Sequence, residues 1–341
     1  MNQGPATDLD GNPLHLLMVH AHPDDETTTT GATAARYAAE GVGVYLVTCT
    51  RGERGEVIDD ALVPGLADLD PDAAAIVLGE YRSRELAAAC GHLGFTDVRF
   101  LAGPGRWWDS GMAGTPTAQH RLAFSAGDLG EQADELAAVI RELRPQVVVT
   151  YDERGGYGHP DHIRAHEVTM AAVRRAAEGP DDPDDPAGSN GTWETAKVYA
   201  CVVPRSEMRR AAALLTAANP DGRNPLAGVG TAEGTGPDSG GETAAADFDA
   251  PFAVPDDLVA ARIEADEWLP AKARAMREHR TQMHANGWFF VLVDNGVFGV
   301  EHYRLLAGSA APEPGERWED DLFAGIRKES SGSQASTASS L

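Results

Sequence analysis

The sequence predicts an α/β fold built on a Rossmann-like, largely parallel sheet flanked by helices, with a smaller C-terminal lobe. Three observations carry this. The apolar run Leu14–Val19 has the length of a buried strand and stops on a cluster of ionisable groups, His20, His22, Asp24, Asp25 and Glu26. A helix and a second apolar run follow directly, the pattern of a βαβ unit. A later apolar run, Gln146–Thr150, stops in the same way on Tyr157, His159, Asp161 and His162. Ligands of open α/β sheets gather outside the carboxyl ends of the strands, so two strands that end on chemistry define a site.

Taken in order, Pro23 forces an extended or turn conformation on His22. Thr27–Thr30 and Gly31 then lead into a helix over Ala32–Glu40, closed by Gly41. Val42–Cys49 reads as the second strand. The loop Thr50–Val57 after it offers Glu53 and Glu56, which stand equally as pocket-rim residues or as solvated loop acids. Glu80–Leu93 has helical spacing, and Asp97–Leu101 is a short third strand. The Gly- and Pro-rich loop 103–116 holds Trp107 and Trp108 beside Asp109; the two rings either meet a sugar face or plug the core. Asp128 is an N-cap for a helix over Leu129–Leu143, and Pro145 separates that helix from the fourth strand. A helix over Asp161–Glu178, a strand over Thr195–Val203 and a helix over Arg205–Ala218 follow. Val259–Ala265 reads as a strand and Asp266–Met283 as a helix with Pro270 in its first turns. Trp288–Val293 and Val297–Val300, joined by Asp294, Asn295 and Gly296, read as a hairpin.

Composition narrows the function. The chain has 341 residues, 42% of them hydrophobic, so a sizeable core can be buried. A formal charge of −25 opposes nucleic-acid and anionic-membrane partners, which are held by Lys and Arg. Three cysteines without CxxC spacing argue against a thiolate zinc site and a disulfide scaffold, and fit a reducing compartment. The N-terminus lacks a signal-peptide pattern and no apolar run nears the roughly 18 residues of a membrane span, so a cytoplasmic protein is expected. Residues 1–13 are expected to be an N-terminal extension and 14–326 the catalytic domain. Within it 179–191 and 219–250 are flexible acidic or Gly-rich loops, and 327–341 is a disordered Ser-rich tail.

Imidazoles and carboxylates are the donors of a catalytic zinc, which keeps three protein ligands and an open position for water. His22, Asp25 and His162 supply such a set. Spacing alone leaves His20 in competition with His22, because alternate strand residues share a face. No GxGxxG or GxxxxGK[ST] follows a strand, which argues against a nucleotide-binding protein. A non-catalytic, metal-dependent sugar-binding module is a further class, but it needs no acid or base beside the ligands.

HAHPDDE at His20–Glu26 with GHPDH at Gly158–His162 resembles the paired signature of the LmbE/PIG-L family of zinc-dependent N-acetylsugar deacetylases. The resemblance continues through VTCTRGERGEV, YRSREL, GRWWDSGMAGT, EHRTQM, EHYRLLAG and WEDDLFAG, over about residues 14–326. It is greatest to the actinobacterial branch that serves mycothiol biosynthesis. The segment 219–250 is longer than the family pattern. The resemblance implies one zinc ion (Zn2+, with Fe2+ as the alternative) per chain on His22, Asp25 and His162, which selects His22 over His20. It implies Asp24 as general base, His159 as a protonated electrostatic or acid group paired with Asp161, and Tyr157 near the oxyanion. Arg82 and Asp109, with Glu53 beside them, are implied to hold the polar substrate. The implied reaction removes the N-acetyl group from 1-O-(2-acetamido-2-deoxy-α-D-glucopyranosyl)-1D-myo-inositol, a small glycosyl-inositol. The mycothiol S-conjugate amidases of the same family are the alternative; their pattern places a Lys in the turn where this chain has Thr27–Thr30.

Overall fold

In the computed structural model, which describes residues 5–178, 191–218, 250, 252–284 and 287–328, the central strand is β1, His15–His20. It pairs in parallel with β2, Gly43–Thr48, on one side and with β4, Val147–Thr150, on the other. The full sheet has seven strands in the order β3-β2-β1-β4-β5-β7-β6, where β3 is Asp97–Phe100, β5 Lys197–Val202, β6 Ala261–Glu264 and β7 Val300–Ala307. The first five are parallel neighbours, and β7 joins β5 and β6 antiparallel. The chain winds from β1 out through β2 to β3 and returns to place β4 on the far side. The carboxyl ends of β1 and β4 therefore flank a topological switch point, where a crevice opens.

Both faces of β1 are covered, which is why the run is apolar at every position instead of alternating. Leu17 and Val19 pack with Leu136, Ile140, Val168 and Ala172 of α3 (Leu129–Leu143) and α4 (Pro160–Glu178). Leu16 and Met18 face Ala34, Tyr37, Leu86 and Cys90 of α1 (Asp25–Ala39) and α2 (Pro71–Leu93). The Asp128 carboxylate caps α3 by accepting from Glu131 N at 2.8 Å. Helix α5, Arg205–Ala218, has the expected bounds.

Several elements differ from expectation. Helix α1 begins at Asp25 instead of Ala32, because Thr28, Thr29 and Thr30 turn their hydroxyls back onto the carbonyls of Asp24, Asp25 and Glu26 and remain helical. Helix α2 begins at Pro71, with Asp70 accepting from Asp72 N and Ala73 N. The helix after β6 is α6, Leu269–Glu278; it stops short of Met283 because His279–Gln282 form a turn. The expected hairpin is absent. Trp288–Asp294 is a helix, α7, whose Phe290, Leu292 and Val293 are buried against α5 and α6. A short apolar run fits either period, and here packing decided for the helix. The antiparallel strand lies downstream, in β7. The expected loops at 179–191 and 219–250 and the tail at 327–341 lie, apart from their flanking positions, outside the described residues. Ala6, Leu9 and Lys328 bond to Gly41, Ile326 and Thr7, so residues 5–13 lie against the domain. No helix among the described residues is long and apolar enough to cross a membrane.

The expected smaller C-terminal lobe is not a separate layer, since β6 and β7 extend the main sheet, and a buried ion pair between α6 and β7 ties both to α1. Lys272 Nζ lies 2.7 Å from Glu301 Oε1 and donates to Thr28 O, while Glu301 accepts from Ala32 N and Thr33 N within α1. Removing one member strands the other charge, a loss of about 3 to 5 kcal/mol. Lys272→Met should lower the unfolding free energy by that amount in urea titration. A loss below about 1 kcal/mol would show that water or another cation reaches Glu301.

Candidate metal and hydrolytic site

Three chain segments build the site. Beyond β1 the chain turns at Pro23, and Asp24 takes φ 115°, a left-handed conformation rare for a side-chain-bearing residue. That turn lets Asp25, first residue of α1, fold its carboxylate back to accept from His22 N at 2.9 Å. Beyond β4, Gly155, Gly156 and Gly158 all have positive φ, and a Cβ on Gly155 would lie 2.6 Å from Ile163 N. The tight loop so formed sets His159 before α4 and Asp161 and His162 in its first turn. The loop after β3 brings Asp109 and Ser110 alongside.

His22, Asp25, Asp109, His159, Asp161 and His162 are all buried. Asp25 Oδ2 lies 3.4 Å from His22 Nδ1 and 3.5 Å from His162 Nε2. Metal bonds of ~2.0–2.1 Å at tetrahedral angles separate ligand atoms by ~3.3–3.4 Å, so each of these two pairs is spaced as two ligands of one ion would be. His162 Nε2 and Asp161 Oδ1 are buried without a hydrogen-bond partner among the described residues. His22 Nε2 meets Asp161 Oδ2 at 3.2 Å and Asp109 Oδ1 at 3.6 Å. A ligating histidine characteristically spends its second nitrogen on a carboxylate in this way. The groups whose ligand atoms all lie within 4.8 Å of one another are His22 with His159 and His162, and His22 with Asp109 and Asp161; Asp25 is in neither. The donor set of imidazoles and carboxylates fits a divalent ion.

Electrostatics point the same way. Burial alone would lower the His22 imidazole, yet Asp109, with Asp161 and Asp25, holds it well above its ordinary value. Burial would raise Asp25, but His162 and His22 hold it well below the carboxylate range. The Asp109 carboxyl is likewise lowered: burial acts against this and His22 outweighs it. The pocket therefore concentrates negative charge that only a cation or imidazolium satisfies.

The remaining expected residues divide. Asp24 adjoins the expected ligands; burial pushes its carboxyl up to about 6, Arg82 opposes and Asp25 adds. Tyr157 is 41% exposed at the mouth, its ring 5.0 Å from that of His162. His20 bonds Tyr151 Oη and Thr30 Oγ1 and is a packing residue, which leaves His22 in the site. The expected Asp161–His159 carboxylate pairing is not formed. Asp161 Oδ2 instead serves His22 and Ser110 N, and its backbone N–H donates to His159 Nδ1. His159 is thus not held protonated: burial, then His22 and His162, lower it to about 4. With Nδ1 an acceptor, the neutral ring carries its proton on Nε2.

Arg82 and Glu53 also differ from expectation. The Arg82 guanidinium is buried and donates to Gly52 O, Pro23 O and Asp24 Oδ2, so it clamps the turn that carries Asp24. A Cβ on Gly52 would stand 1.9 Å from Arg82 Nη1, which explains a glycine there. Glu53 is buried, not at the rim, and accepts from Arg51 and from Asp109 N, joining two loops. Trp107 and Trp108 are buried core plugs. Sequence reasoning passed over Tyr151, whose ring stacks on His162 at 4.2 Å and whose hydroxyl accepts from Ala21 N, and His279, which meets Glu26. The signals were present: Tyr151 directly follows the fourth strand, and His279 lies in EHRTQM.

Comparison with known proteins follows the same line. The profile of the family described as PIG-L, GlcNAc-PI de-N-acetylase, matches residues 17–173. A protein of Catenulispora acidiphila described as 1D-myo-inositol 2-acetamido-2-deoxy-alpha-D-glucopyranoside deacetylase 3 is 54% identical over 326 residues, 93% of this chain and 88% of its own. A Geodermatophilus obscurus protein described as the deacetylase of the same compound is 49% identical over 314 residues, 91% of this chain and 97% of its own. Among solved structures, N,N'-diacetylchitobiose deacetylase from Pyrococcus horikoshii superposes with TM-score 0.51 at 16% identity, covering 86% of this chain and 83% of that one. GalB, a 4-carboxy-2-hydroxymuconate hydratase from Pseudomonas putida, superposes with TM-score 0.53 at 16% identity over 88% of this chain and 99% of that one. These two share the fold, and their different reactions show that fold alone does not assign chemistry.

Metal analysis after dialysis should find a single divalent ion per chain. His22→Ala, Asp25→Ala and His162→Ala should each lose it, while His20→Phe, altered only in packing, should keep it. Full retention in His162→Ala would move the ion to the Asp109 side.

Proposed function

The chain belongs to the PIG-L de-N-acetylase family, and from that premise we propose that it hydrolyses the N-acetyl group of 1-O-(2-acetamido-2-deoxy-α-D-glucopyranosyl)-1D-myo-inositol. The products are acetate and the free amine. The observation that carries the hydrolytic part is the convergence of His22, Asp25 and His162 beside a carboxylate, Asp24, that is free of them. The substrate rests on relatives at 54% and 49% identity described by that activity. The catalytic unit is residues 14–326, and the setting is the cytoplasm, where the charge balance favours neither nucleic acid nor membrane as partner.

A divalent ion, zinc or alternatively Fe2+, held by His22, Asp25 and His162 would supply Lewis acidity that polarises the amide carbonyl and makes water a stronger acid. Asp24 takes the proton of the attacking water as its oxygen bonds to the carbonyl carbon. The tetrahedral oxyanion accepts hydrogen bonds from the Tyr157 hydroxyl and the His159 Nε2–H, each worth about 3 to 4 kcal/mol when well aimed. Asp24 then returns its proton to the nitrogen as the C–N bond breaks. A neutral His159 leaves that second transfer to Asp24, whose carboxyl near 6 suits both directions. Asp109 lies 3.6 Å from His22 and offers its carboxylate to a sugar hydroxyl at the same wall; Arg82 and Glu53 contribute by holding loops.

One feature favours a second reading, amidase action on mycothiol S-conjugates. A cavity of about 360 Å³ adjoins the site, lined by Asp25, Tyr157 and His162 and also by Trp288, Phe289 and Phe298. An acetyl methyl does not fill it.

Acetate release from the glycosyl-inositol, with and without chelator, tests the proposal beside parallel assays on a mycothiol S-conjugate and on N-acetylglucosamine. The glycosyl-inositol should have the highest kcat/KM; preference for the conjugate would install the second reading. Asp24→Asn should lower kcat about 10²- to 10⁴-fold with metal retained. The base must be ionised, so kcat/KM should fall as pH drops through about 6 or, with a cation bound, lower. Arg82 lowers the Asp24 pKa, so Arg82→Gln should move this limb to higher pH; an unmoved limb would assign it to another group.

A further inference from the structure

Asp24 holds a backbone conformation at φ 115° that costs about 1 to 3 kcal/mol and persists only where its surroundings over-determine it. On one side Arg82 Nη2 binds Pro23 O at 2.7 Å and Asp24 Oδ2 at 3.3 Å. On the other, the Asp24 amide donates to Glu26 Oε2 at 2.9 Å. Glu26 is fully buried, and its second oxygen meets His279 Nε2 at 2.8 Å and the Thr27 hydroxyl. His279 is fully buried as well, and its Nδ1 has no hydrogen-bond partner among the described residues. All the polar work of that ring is therefore done at Nε2.

We propose that His279 is a positioning residue for the proposed base: from the turn after α6 it fixes the Glu26 carboxylate, and Glu26 fixes the Asp24 backbone. The role in turnover rests on the reading of Asp24 given above; the positioning does not. The turn carrying His279 is itself anchored on α2, because Thr281 N and Oγ1 donate to the two oxygens of Glu85 at 2.9 and 2.6 Å. Arg82 stands one turn away on the same helix. Both holders of Asp24 thus take their position from α2, and a segment more than half the chain away in sequence becomes part of the machinery at the end of β1. Without His279, a buried carboxylate keeps only the Thr27 hydroxyl on that oxygen, and Glu26 is free to turn from the Asp24 amide.

The test compares metal-loaded wild type, His279→Leu and His279→Gln, in which the amide nitrogen can replace Nε2. Hydrogen exchange at the Asp24 amide, measured without substrate, should quicken at least about tenfold in His279→Leu and return towards wild type in His279→Gln. With the glycosyl-inositol, kcat should fall about 10- to 100-fold in His279→Leu, the scale of a misplaced catalytic group, with KM within about twofold and metal content unchanged. His279→Gln should recover most of it. Glu26→Gln, which keeps the side-chain shape, should show the same loss of kcat and carries the test if His279→Leu does not fold. Unchanged Asp24 exchange, equal losses in the Leu and Gln variants, or loss of metal with kcat would overturn the proposal. Quickened exchange in a protein whose wild type releases no acetate would leave the positioning standing and remove the deacetylase reading instead.

Discussion

Buried negative charge is the constraint on which the structure depends. Asp24, Asp25, Glu26, Asp109 and Asp161 meet where β1 and β4 end, and carboxylates taken out of water cost several kcal/mol each unless positive groups answer them. Each is answered by a specific partner: Asp25 by His22 and His162, Asp24 by Arg82, Glu26 by His279, Asp161 and Asp109 by His22. One imidazole serves three of these acids, so the balance is completed by a cation. The site is electrostatically poised for the ion that a hydrolase of this type uses.

The fold supplies rigidity for that arrangement. The proposed ligands come from a strand end and from the first turns of two helices, and the strained turn at Asp24 is held from α2 and from the turn after α6. Helix α6 and β7 reach α1 through Lys272 and Glu301. Elements far apart in sequence therefore converge on the first turn of α1. Neutralising them singly disturbs a network whose members share partners, and their effects are not additive.

Much of this was legible in the sequence. Leu14–Val19 and Gln146–Thr150 announced parallel strands because both faces of such strands are apolar, and the clusters that follow them announced the site. Local pattern failed where tertiary packing chose between alternatives. WFFVLVD fits strand or helix, and the α5–α6 surface made it a helix. Arg82 and Glu53 were legible as functional residues but not as clamps, since nothing in YRSREL or RGERGEV shows that their side chains are consumed by carbonyls and amides of neighbouring loops. The Asp161 carboxylate was legible near His159, and only the turn geometry gave it to His22. His279 was legible as part of EHRTQM but its role was not, for the same reason: its partner Glu26 lies in the first signature motif, far away in the chain.

The most direct test of the account is the position of the ion. Crystals grown with zinc, measured on both sides of its absorption edge, should show a single anomalous peak bounded by His22, Asp25 and His162, with Asp24 beside it and uncoordinated. A peak bounded by His22, Asp109 and Asp161 would contradict the assignment of ligands and, with it, the role given to Asp24.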